Sequence, residues 1–521
     1  MRLNRSKNTI RNIVFGTINR TVRMLCPFII RTIIIYQLGL NYIGINSLFT
    51  SVLNILSLSE LGFDTAVVFI MYRGVANDDE LQLSSLLNFI LKAYRIIGTF
   101  ILIVGLALTP FIHLIVKDNG DIPADINLHY IYLIFLINTV SSYYFGAYRK
   151  CVLNAYQRQD IIDKTDSSIV IISTIIQAVI LYATKDYYKY IITLPVFTII
   201  TNLVLVFVCR KKYPNIRPEG KLSDSDKAEI KKLVAGTFLG KVGSAFSVSA
   251  DSIVISSFLG LSLLSRYSNY SYIINAIKGI MIIIYTSMQA GVGNSLQLDS
   301  VEKNYKDLNL FTFIYDWILG VTTFCLLFLL QPFVSIWIGD SGLLPFTVVI
   351  FLCLNYYFIL FDSMLGIYKL GLGIWWEDRY RCLIAGIVNL TLNITCVYTL
   401  QRFGDDIALI GVVLSTIISN LVIGTPWATY ITFKKYFKSG LGEYAFKLVR
   451  NFLVTLAICV FGYFAMDYLD KMLTFDGVLA LLIRLVICLI LPNLLYFLIY
   501  MKTEDFKYAK KYVLVRLKRK K

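Results

Sequence analysis

Apolar residues run through this chain in unbroken blocks of about 20, the length an α-helix needs to cross a bilayer. Soluble helices bury periodic stripes instead, and outer-membrane strands alternate in short segments; neither pattern is present. The blocks predict an all-α integral membrane protein with about fourteen transmembrane helices, near 13–36, 43–72, 86–116, 128–150, 167–184, 189–209, 233–260, 264–292, 309–331, 345–369, 383–401, 407–433, 450–468 and 477–500. Outer loops are short, and the longest, 117–127, has no room for a catalytic domain. This pattern excludes an enzyme that holds its catalytic residues in a large outer loop.

A short passage occurs twice. Pro110-Phe111 with Asp118, Gly120 and Pro123 recurs as Pro332-Phe333 with Asp340, Gly342 and Pro345, an offset of about 222 residues. Leu38-Gly39-Leu40 recurs as Leu259-Gly260-Leu261, and Gly146-x-Tyr148-Arg149 as Gly366-x-Tyr368-Lys369, at nearly the same offset. With six spans before the polar stretch near 209–232, both copies start on one side of the membrane, so the repeat is parallel. The expected organisation is an N-terminal six-helix lobe over 1–208, a cytoplasmic linker over 209–232, and a second six-helix lobe over 233–433. Residues 434–521 add two unrepeated spans and a basic tail.

The chain has 521 residues, 57% of them hydrophobic and 16% charged, with a formal net charge of +17. With the N-terminus inside, roughly 36 of the 50 basic residues fall on the cytoplasmic side, a strong positive-inside bias. Both termini are therefore expected in the cytoplasm, and the tail 516–521 reads as a topology and anionic-lipid signal rather than a nucleic-acid site. The first apolar stretch carries arginines and lacks a small-residue cleavage site, so it reads as a span and not a cleaved leader. Nine cysteines are scattered singly and the two histidines, His113 and His129, have no partner pattern, so no metal site is expected. Gly236-Thr237-Phe238-Leu239-Gly240-Lys241 has three residues between its glycines where a phosphate-binding loop needs four, and Val242 follows the lysine, so no nucleotide cofactor is expected either. Gly236 and Gly240 suit close helix packing.

Charges inside the spans carry the candidate chemistry. Arg20, Arg23 and Arg31 share one face of the first span, since positions 20 and 31 nearly eclipse at 100° per residue and 23 lies about 60° away. Each mid-membrane arginine costs on the order of 2.5–3.5 kcal/mol. Their face must therefore meet a wet cavity or acidic partners, and Arg31 also lies near enough to the outer interface to snorkel. Pro27 predicts a kink one turn earlier. The repeat offset carries Arg20 onto Lys241, in a seventh span that continues with Ser244, Ser247 and Asp251, and Lys278 lies near the centre of the eighth. A base-rich cavity between the halves would favour an anionic group, and guanidinium suits phosphate in particular. The intramembrane acids are Glu60, Asp64, Asp251, Asp316 and Asp362. Glu60, Asp64 and Asp251 are open to two roles, coupling Na⁺ or H⁺, or neutralising the basic residues.

Gln37-Leu38-Gly39-Leu40-Asn41-Tyr42-Ile43-Gly44-Ile45, leading to Leu56-Ser57-Leu58-Ser59-Glu60-Leu61-Gly62-Phe63, resembles the start of the O-antigen and capsule polysaccharide-exporter flippases. So does Ala250-Asp251-Ser252-Ile253-Val254-Ile255-Ser256-Ser257-Phe258-Leu259-Gly260-Leu261, with Tyr267-Ser268-Asn269-Tyr270 after it. These belong to the multidrug/oligosaccharidyl-lipid/polysaccharide (MOP) superfamily, and the resemblance covers essentially the whole chain. It implies two lobes that alternate between inward- and outward-open states, translocating an undecaprenyl-pyrophosphate-linked oligosaccharide that a polysaccharide polymerase then consumes. Lipid II flippases of the superfamily also carry two extra helices beside the lipid tail, the role implied for the last two spans. Arg484, inside the fourteenth span, departs from that picture. The competing reading is a cation-coupled multidrug exporter of the same fold, which would want an acidic, aromatic pocket and usually twelve spans.

Overall fold

The structure, a computed structural model, describes residues 5–57, 63–117, 120–374, 376–472 and 477–518. Among these there are helices and no strands. The chain divides into two compact units, Met1–Ser265 and Arg266–Lys521.

The first unit contains α1 (Arg5–Gln37), α2 (Asn41–Leu56), α3 (Phe63–Ala76), α4 (Glu80–Leu108), α5 (Leu128–Tyr144), α6 (Lys150–Ala155), α7 (Gln159–Thr184), α8 (Tyr187–Lys212) and α9 (Asp224–Val254). Helix α10 (Leu261–Leu298) crosses the division. The second unit continues with α11 (Val301–Ile338), α12 (Phe346–Leu360), α13 (Ser363–Gly371), α14 (Arg381–Leu400), α15 (Asp405–Ser419), α16 (Thr425–Thr432), α17 (Leu441–Met472), α18 (Gly477–Tyr500) and α19 (Glu504–Lys518).

Twelve helical segments among the described residues are long and apolar enough to cross a membrane. The two other expected spans have local explanations. The block 43–72 is covered by α2 and α3, on either side of residues outside the described set. The block 128–150 is the 17-residue α5, about 26 Å of helix, which ends before Gly146 adopts a φ of +97°. The fold class is that of a multi-pass, all-α membrane protein.

Two glycines of the repeat do the same work. Gly39 and Gly260 both adopt positive φ, +119° and +96°, and each donates its N–H to the carbonyl five residues earlier, on Ile34 and Ile255. A side chain would strain both positions, so glycine ends each helix and turns the chain into the next. The polar stretch after α8 is fastened to α4: Asn88 Nδ2 donates to the Gly220 carbonyl (2.8 Å), and Ser84 Oγ accepts from the Arg217 N–H (3.3 Å). Helix α1 stays helical through Pro27.

In the second unit α11 is the most enclosed spanning helix, and the unrepeated pair α17 and α18 packs on it. Trp317 stacks on Tyr496, with ring centroids 5.4 Å apart, and donates its indole N–H to Asn493 Oδ1 (2.8 Å). Phe313 meets Tyr500 edge-on. Close approach requires glycine twice: a Cβ on Gly320 would stand 1.8 Å from the Tyr496 hydroxyl, and one on Gly462 2.2 Å from Phe324. Gly320→Ala is therefore expected to destabilise the protein by about 1–3 kcal/mol through overpacking. Thermal unfolding in detergent should show a lowered midpoint, and an unchanged one would contradict the packing described.

Candidate functional site

Helix α1 lies along α7, and the seam between them is polar. At its start Asn12 Nδ2 donates to the Gln157 carbonyl (3.1 Å), while Asn12 Oδ1 accepts from the Asp160 N–H (2.9 Å). Two turns on, Asn19 Nδ2 donates to Asp163 Oδ1 (3.1 Å), and Ser167 Oγ donates to Asn19 Oδ1 (3.1 Å). Between them Gly16 faces Asp163, whose carboxylate would stand 3.5 Å from an added Cβ. Further along, Arg23 binds Asp166 Oδ2 through Nε (2.6 Å) and through Nη2. Three aspartates three residues apart thus occupy one face of α7, and all are buried. Asp160 is also held by Arg158 (2.7 Å) and Arg11 (3.7 Å).

This settles how one arginine of the first span is tolerated. Arg23 has an acidic partner; its side chain is 58% exposed and that of Asp166 13%. Arg20 is exposed on α1 and has no hydrogen-bond or ion-pair partner among the described residues. Arg31 is half-buried and lies near Tyr190 of α8. The three remain on one helix, and Arg23 is neutralised by Asp166.

Lys241 sits on α9, with its side chain outside the described residues, so the repeat-derived pairing with Arg20 stays at the level of backbone position. Ser244 Oγ, one turn on, bonds back to the Gly240 carbonyl (3.0 Å). Ser247 is likewise undescribed in its side chain, while Asp251 is buried. Glu60 lies outside the described residues. Asp64, in the first turn of α3, accepts a short hydrogen bond from the hydroxyl of buried Tyr94 on α4.

In the second unit Lys278 is half-buried on α10, without a hydrogen-bond or ion-pair partner among the described residues. Asp362 accepts from Thr425 Oγ1 (3.0 Å), and Asp316 is enclosed beneath α17. Arg484 pairs with Asp470 of α17 at 2.5 Å, which accounts for its place in α18.

Sequence reasoning missed the acids of α7 because the apolar run begins at 167, whereas α7 begins at Gln159 and is 26 residues long. The signal was the Asp160, Asp163, Asp166 spacing, which keeps three carboxyls on one helical face. It also passed over Lys92 and Arg95, exposed on α4 within a spanning segment and one turn apart. Replacing Asp163 with Ala would strand the amides of Asn19 and Gln159, which donate to it at 3.1 and 3.0 Å. The expected cost is about 1–3 kcal/mol, with Asp163→Asn milder; equal unfolding midpoints for wild type and Ala variant would refute the seam.

No protein-family model and no curated protein matches this chain. Solved structures do. A lipid II flippase, MurJ, in an inward closed conformation superimposes with a TM-score of 0.65 at 18% identity, over 94% of this chain and 99% of that one. An inward-facing multidrug resistance MATE family transporter of the MOP superfamily gives 0.60 at 13%, over 81% and 98%. A variant of the Vibrio cholerae MATE transporter VcmN gives 0.53 at 13%, over 83% and 99%. The fold of this chain is the fold of the MOP-superfamily transporters.

Proposed function

We propose that this protein is a flippase that carries an undecaprenyl-pyrophosphate-linked oligosaccharide across the bacterial plasma membrane by alternating access, for surface polysaccharide synthesis. The carrying observation is Arg20, an arginine exposed on an apolar spanning helix without a partner among the described residues. Leaving it so costs on the order of 2.5–3.5 kcal/mol, which a phosphate-bearing headgroup would recover through paired N–H···O bonds. Arg23, one turn further on, is held by a carboxylate that a stronger anion can replace. Arg31, Lys241 and Lys278 add positive charge on spanning helices, and a multidrug exporter of organic cations has no use for it.

Two further observations support the reading. A superposition over 94% of the chain cannot leave out all of residues 441–500, so the likeness to the lipid II flippase extends into the α17–α18 region. Their outer faces carry Leu453, Val460, Phe464, Val486 and Ile490, all exposed, a surface suited to a polyprenyl tail. In this reading the lobes 1–208 and 233–433 move about the 209–232 connection, both termini stay cytoplasmic, and a polymerase takes the product outside. Glu60, Asp64 and Asp251 either return the cycle with Na⁺ or H⁺ or balance the arginines.

In a bacterium whose own polysaccharide flippase is deleted, Arg20→Glu should abolish surface polysaccharide while the protein still inserts. Arg20→Lys should keep a fraction, losing about tenfold for the missing planar fork. Full export by the Arg20→Ala/Arg23→Ala double variant would overturn the assignment. Resistance to cationic drugs conferred by the wild type, without any polysaccharide export, would favour the multidrug exporter.

A further inference from the structure

The segment between α13 and α14 presents two aromatic rings gathered on one arginine. Trp376 is 61% exposed and Tyr380 45%. The guanidinium carbon of Arg379 stands 4.0 Å from the centre of the Trp376 ring and 4.5 Å from that of Tyr380. Arg379 Nη1 also donates to the Trp376 carbonyl. Rings stacked on a cation yet open on the outside have an apolar body and a charged tip, the composition of a membrane–water boundary.

Three ion pairs hold this segment in place. Asp378 binds Lys369 of α13 (2.5 Å) and Arg381 of α14 (2.7 Å), and Glu377 binds Lys435 (3.1 Å) in the turn Phe433–Phe437 that follows α16. Both acids of the segment are therefore engaged. Glu377 senses Arg379 as well, but Arg379 makes no ion pair among the described residues. Lys434, beside Lys435, is exposed over the Tyr430 ring at 5.4 Å and makes none among them either. Lys369, Arg379, Arg381, Lys434 and Lys435 thus face Asp362, Glu377 and Asp378, which leaves positive charge in excess. Stacking uses the faces of a guanidinium and leaves its N–H edge, the part that pairs with phosphate oxygens.

Helix α14 fixes the depth of the segment. Tyr380, Ile384, Ile387, Ile394 and Tyr398 are all exposed and share one face of this spanning helix, with positions 380 and 398 eclipsing after five turns. Ala385, Asn389, Asn393 and Val397, on the other side, are buried. From Tyr380 to Tyr398 the helix rises about 27 Å, close to the roughly 30 Å of a hydrocarbon core. An isoleucine stripe with a tyrosine at each end is the pattern of a lipid-facing helix, and it puts Tyr380 and its neighbours at the level of the headgroups.

We propose that Trp376, Arg379 and Tyr380 form a binding site for the phosphate-bearing headgroup of an anionic phospholipid, in the leaflet where α14 begins. In the orientation expected from the basic residues, that leaflet is the cytoplasmic one. Phosphate oxygens meet the Arg379 edge, and the rings lie against the glycerol and upper acyl carbons. Lys434 adds charge that favours a net-negative lipid over a zwitterionic one. Free phosphate offers the same oxygens but nothing for the rings. The site uses none of Arg20, Arg23, Arg31, Lys241 and Lys278, and it is independent of the molecule transported.

The test uses the full chain in phosphatidylcholine nanodiscs, with no transport substrate, and reads tryptophan fluorescence. Acyl-brominated phosphatidylglycerol or acyl-brominated phosphatidylcholine is titrated in, and the share of quenching lost in Trp376→Phe reports the site. The phosphatidylglycerol should reach half-quenching at about one tenth of the mole fraction that the phosphatidylcholine needs. Arg379→Gln should bring the two curves together at an unchanged unfolding midpoint in detergent, with Arg379→Lys in between. The comparison of wild type with Arg379→Gln can be read on total fluorescence, so it decides the matter even if Trp376→Phe fails to fold. Millimolar inorganic phosphate should leave the quenching unchanged. Equal half-quenching by the two lipids, a preference that survives in Arg379→Gln, or displacement by inorganic phosphate would each overturn the proposal. Trp376 fluorescence indifferent to both lipids would do so too, and would make the segment a surface for a soluble protein.

Discussion

The constraint that organises this molecule is the cost of a charge in a medium that cannot solvate it. Lipid supplies no hydrogen bonds, so every ionised side chain on a spanning helix must find a partner, reach an interface or face water. Helix α1 applies the first solution to Arg23 and repeats its logic with Asn12 and Asn19, each matched to the acid-bearing face of α7. The seam is fixed by polar complementarity. Arg20, on the same helix and without such a match among the described residues, stands out against this background.

The second unit meets the same constraint differently. Its charges are gathered at the junction of α11, α13, α17 and α19, and the added helices supply several of the groups that satisfy them. Asn451 reaches Asp316 from α17, and Tyr500 reaches Asn451 from the end of α18. Aromatic rings carry the rest of that contact, with Trp317 between Tyr496 and Phe506. The unrepeated pair is therefore joined to the rest of the unit by both apolar and polar groups.

Much of this was legible in the sequence because hydrophobic length is a strong signal and glycine is a specific one. The spans follow from apolar blocks, and the repeat singles out Gly39 and Gly260, which share a positive φ. The repeat did not extend to every copy: Gly146 takes a left-handed conformation, while Gly366 lies within α13. Partners were the illegible part. Asp166 is 143 residues from Arg23, and Asp470 lies in a different helix from Arg484, so neither pairing leaves a local pattern. Hydropathy also misplaced the acids of α7, since a helix does not stop where its apolar stretch does.

The distance between Arg23 and Asp166 along the chain has a consequence for synthesis. Helix α1 leaves the ribosome before α7, and the carboxylate that neutralises Arg23 follows 143 residues later. At 5–20 residues per second that interval is on the order of ten seconds. Throughout it the arginines of α1 have no partner on α7, and the helix must wait at the membrane interface, in the translocation machinery or beside lipid phosphates. A helix made before α7 thus reaches its final contacts only once α7 has emerged, and the unit that contains both can close only then.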